Sequence, residues 1–275
     1  MKTSAQSPLA GEEMFTISIV TYNPDLDEFR STLTSLACAL NPFDPSSIAI
    51  IIVDNSSRDT ISSMIETQLA RWTTKLISGH GNIGFGRGHN LALSDIGEFH
   101  LILNPDVTMD RFALRNAIHF MQTNWDCGLL SPHAYWPNGK RQYLCKRYPS
   151  VLDLLLRGFA PIYIQRLFDH RLSQYEMRSE TQHNVYWNPP IVSGCFMLFR
   201  GDTFRELKGF DLRYMLYFED FDISLRTAGL SKIAYVPSVQ IIHKGGNTAR
   251  KGPWHVFQFL RSAIIFFTSH RIKLF

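Results

Sequence analysis

Along the N-terminal part of the chain the hydrophobic pattern switches repeatedly between a strand period and a helix period. Phe15-Thr16-Ile17-Ser18-Ile19-Val20-Thr21 is rich in β-branched residues and stops at Tyr22-Asn23-Pro24, which predicts a strand closed by a turn. From Leu26 to Leu40, Phe29, Leu33, Leu36 and Leu40 recur at helical spacing, and Asn41-Pro42 ends the helix. Ile48 to Val53 is an unbroken apolar run, as expected of a strand covered on both faces, and it stops at Asp54-Asn55-Ser56-Ser57. A helix through Ile61, Ile65 and Leu69 and a short strand, Lys75 to Ser78, follow. The glycine-rich stretch Gly79 to Asn90 then leads into a helix from Leu91. Phe99 to Asp106 is an apolar strand that ends on a carboxylate, with Pro105 barring further pairing.

This is a β-α-β-α-β-α-β series, and it predicts an α/β fold built on a mostly parallel sheet flanked by helices. Right-handed crossovers put the strand ends Thr21/Asn23, Asp54/Asn55 and Asn104/Asp106 on one sheet edge. With the glycine loop beside it, that edge is a nucleotide-sized crevice.

Beyond it, Arg111 to Asn124 reads as a helix beginning near Asp110, and Cys127 to Ser131 as a strand. From Tyr135 to Val185 periodicity is poor and basic and aromatic residues mix, as in Lys140, Arg141, Tyr143, Lys146, Arg147 and Tyr148; this predicts a mobile or acceptor-facing segment. Strand character returns from Pro189 to Phe199, before a short helix, Asp202 to Leu207. Phe218-Glu219-Asp220-Phe221-Asp222 opens a helix through Ile223 to Ala228, and a strand-like pair, Ile233–Val236 and Val239–Ile242, runs into His243. Trp254 to Phe275 is aromatic and basic, predicting an amphipathic helix packed on the body or lying on lipid.

Composition narrows the partners. The chain has 275 residues, a net charge of +4 and 13% aromatic residues. The mild basicity lacks a dense Lys/Arg stripe, so an anionic small molecule or membrane surface fits and nucleic acid does not. Cys38, Cys127, Cys145 and Cys195 lie far apart without a C-x-x-C pair, and the first thirteen residues are polar, which points to a cytoplasmic protein. No apolar run is long enough to span a bilayer; Val151–Phe168 is broken by Asp153 and Arg157, and Trp254–Phe275 by Arg261.

Each candidate group has a plain structural role beside a chemical one. Asp106 either caps the following helix or delivers a carboxylate to a metal or phosphate site. The glycine loop is either a turn or a cradle of backbone N–H groups for an anion. Glu219, Asp220 and Asp222 either complement a helix dipole or include a general base. His243 is either a structural histidine or, opposite a carboxylate, a ligand for a divalent ion. Lys244, Arg250 and Lys251 are either solvated or touch a diphosphate.

Taken in order, the stretches Ile19–Asn23, Val53–Ser57, Gly81–Gly86, Leu103–Asp106, Ser193–Cys195, Gly209–Asp211 and Phe218–Asp222 resemble the inverting GT-A glycosyltransferases of family 2, in particular their bacterial rhamnosyltransferase-like branch. The resemblance covers about residues 15 to 245. It implies a transferase that moves a sugar, L-rhamnose from dTDP-rhamnose or another dTDP- or UDP-sugar, to a hydroxyl of a surface polysaccharide or lipid-linked glycan. Thr21, Asn23, Asp54, Asn55, Gly81, Asn82, Gly84 and Asn104 would hold the donor, with Asp54 reading a pyrimidine imide. Asp106 stands at the last acid of the family's D-x-D motif, with Asn104 at the first, and with His243 it would bind Mg²⁺ or Mn²⁺. Asp220 would be the catalytic base, and Glu219 and Asp222 would support the acceptor or the helix.

The division expected is a flexible arm (1–13), a catalytic domain (14–252) with a donor half (14–131) and an acceptor half (132–252), and a terminal helix (253–275) that visits the inner face of the membrane. Two rivals remain. A sugar-nucleotide nucleotidyltransferase should carry a basic glycine loop straight after the first strand, where Thr21-Tyr22-Asn23-Pro24 stands. A non-catalytic nucleotide-sugar-binding module has no need of Asp220.

Overall fold

The computed structural model describes residues 15–245 and 252–275. The expected arm at residues 1–13, and Gly246, Arg250 and Lys251, lie outside the described residues. The first part of the chain runs β1 (Phe15–Thr21), α1 (Leu26–Leu40), β2 (Ile48–Asp54), α2 (Ser62–Gln68), β3 (Thr73–Ile77), α3 (Phe85–Asn90) and β4 (Phe99–Leu103). It continues through β5 (Val107–Met109), α4 (Ala113–Thr123), β6 (Cys127–Tyr135), β7 (Arg141–Gln142), β8 (Cys145–Lys146), α5 (Val151–Gly158), α6 (Ile162–Leu167) and α7 (Asp169–Tyr175). Then come β9 (Tyr186–Trp187), β10 (Ile191–Val192), β11 (Phe196–Arg200), α8 (Gly201–Glu206), α9 (Glu219–Ala228), β12 (Lys232–His243) and α10 (Pro253–Ser269).

The main sheet has the order β3-β2-β1-β4-β11-β6-β12-β5. β3, β2, β1 and β4 are parallel, with Thr21 opposite Asp54 and Ile19 opposite Leu103. β11 then runs antiparallel to both β4 and β6, and β12 runs parallel to β6. This single reversal matters for the site. It brings the start of β11, and Ser193-Gly194-Cys195 just before it, to the same edge as the ends of β1, β2, β4 and β12. β5, antiparallel to β12, pairs Val107 with His243 and so begins at that edge too.

Strand alternation divides the core. Ile17, Ile19, Ile50, Ile52, Leu101 and Leu103 pack with Phe29, Leu33, Leu36 and Leu40 of α1 on one face. On the other face Ile102, Met197 and Phe199 meet Phe204, Phe210 and Ile223. Thr16 and Ser18, polar and fully buried, point to this second face as well. Their hydroxyls bond two buried histidines: Thr16 Oγ1 lies 2.9 Å from His100 Nδ1 and Ser18 Oγ lies 2.7 Å from His89 Nδ1. Burial lowers both imidazoles, so they are neutral hydrogen-bonding parts of the core.

Several sequence expectations change. The helix after the glycine loop starts inside it, at Phe85, because Gly86 and Gly88 let α3 press on Phe210 and Val20; a Cβ would lie 2.7 Å and 2.8 Å from those side chains. The expected strand at Phe99–Asp106 pairs only to Leu103. Asp106 caps no helix: α4 begins at Ala113, and the loop before it is held by Asp110 Oδ1, which accepts from Phe112 N. The two short strands expected near the end are one strand, β12, with a register shift between Val236 and Gln240.

The aperiodic segment Tyr135–Val185 is folded rather than mobile. It forms α5, α6 and α7 beside two short strands, and Ser150 and Asp153 close a capping box on α5. Arg171 bonds Asp153 Oδ1 at 2.6 Å, tying α7 to that cap.

Candidate active site

A cleft of about 600 Å³ opens at the sheet edge described above, lined by Thr21, Asn23, Asn55, Asn82, Gly84, Phe85, Asn104 and Asp106 from the N-terminal part. Met215, Leu216, Trp254 and His255 close it from the C-terminal part. Local geometry explains how the polar groups stay there. Asn23 takes φ +45°, a left-handed conformation tolerated by Asn, and its N–H donates to Ser56 Oγ at 2.7 Å. Asn82 Oδ1 accepts from Gly84 N at 3.0 Å, turning the glycine loop. Gly84 has φ +95°, and a Cβ on it would lie 2.3 Å from Met215 O, so only glycine lets the two parts of the chain meet here.

Among the described residues, Thr21 Oγ1, Asn55 Oδ1 and Asn104 Oδ1 on this cleft are buried and have no hydrogen-bond partner. Buried polar atoms are rarely left so. Their convergence on one cavity marks a surface shaped for a polar ligand. A second concavity, of about 690 Å³ near the starts of β6 and β12, carries a single acid, Asp126, already paired with Lys232.

Asp106 and His243 meet. His243 Nε2 lies 3.5 Å from Asp106 Oδ1, and His243 Nδ1 lies 3.1 Å from Gln142 Oε1. Burial opposes charge on His243, but the Cys195 sulfur and the Asp106 carboxylate outweigh it and raise the imidazole to about 10. Gly245 leaves room at this point: a Cβ there would lie 2.6 Å from His243 Nε2 and 2.7 Å from Asp106 Oδ2. A carboxylate and an imidazole facing one small gap fit a divalent cation that takes its other ligands from substrate and water. Among the described residues no group of three His, Cys, Asp or Glu side chains could hold a metal.

Asp220 is held beside the cleft wall. Its Oδ2 accepts from Gly194 N and its Oδ1 from Phe221 N, each at 3.0 Å. A Cβ on Gly194 would lie 3.2 Å from Asp220 Cβ and 3.4 Å from the Phe85 ring, so Asp220 and the cleft-lining Phe85 both pack on Gly194, while Asp220 itself is not among the residues that line the cleft. Burial raises both Glu219 and Asp220, and the Asp220 charge adds to the shift on Glu219. Asp222 faces elsewhere: it is buried between Arg226, 2.7 Å away, and His270, 3.0 Å away. Asp54 and Gly81 do not line the cleft. Asp54 Oδ1 folds back to accept from Ser56 N at 2.9 Å, and Gly81 is exposed in the loop with φ +70°.

The approach to α9 is strained. Tyr217 and Phe218 both have positive φ, +71° and +67°, an outlying conformation for aromatic residues. Helix α10 holds them there. Tyr217 Oη lies 2.8 Å from His255 Nδ1, and the Phe218 ring packs on Phe259 and Phe266.

The sequence reading had not singled out Gln142, Trp254, His255 or Lys146 as site residues. Gln142 reaches His243 only because β7 pairs with β6. Lys146 is buried and donates to Tyr143 O; burial, with Arg157 nearby, lowers its ammonium to about 8 against the attraction of Glu176 and Asp220. Its sequence signal was the mixture of basic and aromatic residues from Lys140 to Tyr148, which did not say which one turned inward.

Comparison with known proteins agrees with this geometry. The family described as Glycosyl transferase family 2 matches residues 16–208. The chain is 26% identical over 278 residues to N-acetylglucosaminyl-diphospho-decaprenol L-rhamnosyltransferase of Mycobacterium tuberculosis (strain ATCC 25618 / H37Rv), across 92% of this chain and 84% of that one. It is 27% identical over 199 residues to rhamnosyltransferase WbbL of Escherichia coli (strain K12), across 68% and 70% of the two chains. Among solved structures, mannosyltransferase PcManGT from Pyrobaculum calidifontis, in complex with GDP-Man and Mn²⁺, superposes with a TM-score of 0.59 at 17% identity, over 96% of this chain and 68% of that one. The curled, mostly parallel sheet is the GT-A fold. With a family match over most of its length and the cleft at the expected sheet edge, the chain belongs to glycosyl transferase family 2.

Proposed function

We propose that this chain moves a hexose, with inversion at the anomeric carbon, from a pyrimidine nucleoside diphosphate to a hydroxyl of a surface polysaccharide or lipid-linked glycan. The names of both relatives favour rhamnose as the sugar; dTDP-L-rhamnose is the donor that the family resemblance implies, with UDP-sugars next. The observation that carries the reading is the meeting of Asp106 and His243 beside a cleft with three unpartnered buried polar atoms.

On this reading residues up to about 131 hold the donor. Thr21, Asn23, Asn55, Asn82 and Asn104 offer hydrogen bonds, Gly81 and Gly84 shape the loop, and Asp54, away from the cleft lining, sets the turn behind Asn55 through Ser56 N. Asp106 and His243 would hold Mg²⁺ or Mn²⁺, which when bound supplies Lewis-acid charge to the departing diphosphate. The Mn²⁺ in the Pyrobaculum enzyme's complex supports that assignment.

Later residues handle the acceptor. Asp220 takes the proton from the acceptor hydroxyl, and the acceptor oxygen bonds to the anomeric carbon as the bond to the diphosphate oxygen breaks on the opposite face. The backbone N–H groups of Gly194 and Phe221 fix the direction of this carboxylate. Burial raises its affinity for a proton, which suits a base working near neutral pH. Glu219 sets the electrostatics beside it, and Asp222 anchors the helix.

The aromatic and basic terminal helix supports work at the inner, cytoplasmic face of the membrane; no helix among the described residues is long and apolar enough to cross one. Thermal stabilisation by dTDP, UDP and GDP in the presence of Mn²⁺ tests the donor class. The expected order is dTDP and UDP well above GDP; equal stabilisation by GDP would overturn the pyrimidine assignment.

A further inference from the structure

The segments 154–168 and 252–275 contain no Asp or Glu, yet they carry Arg157, Arg166, Arg261, Arg271 and Lys273, all exposed. They are far apart in sequence and adjacent in the fold. Phe159 and Phe259 meet edge to face with ring centroids 5.6 Å apart, and Val151 N donates to Lys273 O at 2.9 Å. Each segment leaves large apolar side chains in solvent. Leu155, Ile162 and Leu167 are 51%, 63% and 81% exposed on α5 and α6, and Phe257, Leu260 and Ile264 are 61%, 53% and 65% exposed on α10. The last three recur at helical spacing and so form one stripe. Clustered exposed apolar side chains of this size mark an interaction surface.

We infer that α5, α6 and α10 form one platform that docks on a bilayer containing anionic lipid. Charge complementarity selects this occupant. The one acid on these three helices, Asp153, is buried and paired with Arg171. Although Arg157 is paired with Glu176, Arg166, Arg261, Arg271 and Lys273 face solvent. That balance suits an anionic headgroup layer, and the protruding Leu, Ile and Phe side chains suit the acyl boundary beneath it. The platform also has a direction. Trp254 and His255, on the first turn of α10, line the sugar-nucleotide cleft, so docking sets the cleft mouth at the membrane surface. This deepens the proposed function, resting on its membrane-facing acceptor, and assigns α5–α6 a part in it equal to that of the terminal helix.

The test is cosedimentation of the full chain with vesicles of phosphatidylcholine, with and without phosphatidylglycerol. Ile162→Asp/Leu167→Asp and Ile264→Asp are compared with wild type, all at exposed positions. The expected result is binding to the anionic vesicles only, weakened by salt and reduced about tenfold or more by either variant. Unchanged binding in the Ile162→Asp/Leu167→Asp variant would overturn the two-segment platform. Equal binding to pure phosphatidylcholine would overturn the anionic partner. A wild-type dimer in sedimentation velocity that either variant dissolves would replace the membrane with a second copy of the chain. Stabilisation by dTDP with Mn²⁺, measured on the same samples, keeps the two readings apart: its retention in the variants shows an intact fold, and its absence in wild type defeats the donor assignment without touching the vesicle result.

Discussion

Gln142 Oε1 lies 3.1 Å from His243 Nδ1, on the side of the ring away from Asp106. An amide oxygen there favours the proton on Nδ1 and leaves Nε2 to face the carboxylate and the gap beside it. Gln142→Leu removes that control. Mn²⁺ affinity, read by the loss of the free-ion electron paramagnetic resonance signal, should fall about 10–100-fold. Gln142→Glu, which keeps an acceptor at the same place, should restore most of it.

Gly245→Ala tests the gap itself. Its methyl would sit within 2.7 Å of both Asp106 Oδ2 and His243 Nε2. Mn²⁺ binding should be lost, because the Asp106 and His243 side chains must move to admit the methyl, while dTDP stabilisation without Mn²⁺ reports whether the fold is kept. Retained binding in this variant would place the cation elsewhere.

Thr21→Val separates stability from binding. Thr21 Oγ1 is buried without a partner, a state that costs about 1–3 kcal/mol. Valine of nearly the same volume removes the cost, so the ligand-free protein should melt higher. Nucleotide affinity should fall, by about tenfold if one hydrogen bond is lost. Both effects can be read in one thermal-shift titration.

The pair Glu219 and Asp220 predicts a loss of stability as pH rises from the ordinary glutamate range to about 8. Burial, joined by the Asp220 charge, raises Glu219 above its unfolded value. A carboxyl shifted in that direction contributes stability that is complete below the ordinary glutamate range and is lost as pH rises through the raised folded value. Glu219→Gln should therefore flatten the fall of melting temperature between about pH 4.5 and about pH 8. Asp220→Asn should lower kcat about 10²–10⁴-fold with donor affinity unchanged, which a transfer assay and a nucleotide titration separate.

Much of the donor side was legible in the residues because its strands end in polar groups and its helices bury one clean stripe. Phe29, Leu33, Leu36 and Leu40 face the sheet as their spacing says. The start of α3 was not legible, since Gly86 and Gly88 are poor helix formers kept there by close contact with Phe210 and Val20. Helices α5 and α6 escaped notice because apolar residues lie on both their buried and exposed sides, erasing the amphipathic period: Leu156 is buried while Leu155 is half in solvent. Gln142 was beyond reach for another reason. Nothing local distinguishes it, and its partner is 101 positions away.

The strained Tyr217-Phe218 turn and the helix that braces it have a bearing on how the C-terminus can be studied. Residues 253–269 act as a splint for the segment that carries the base, so clipping them off should abolish sugar transfer even to a water-soluble acceptor with no lipid in the tube. An inactive truncated protein would thus speak to a collapsed base rather than to a missing anchor. Surface substitutions that spare Tyr217, Phe218 and His255 are the ones able to tell those two failures apart.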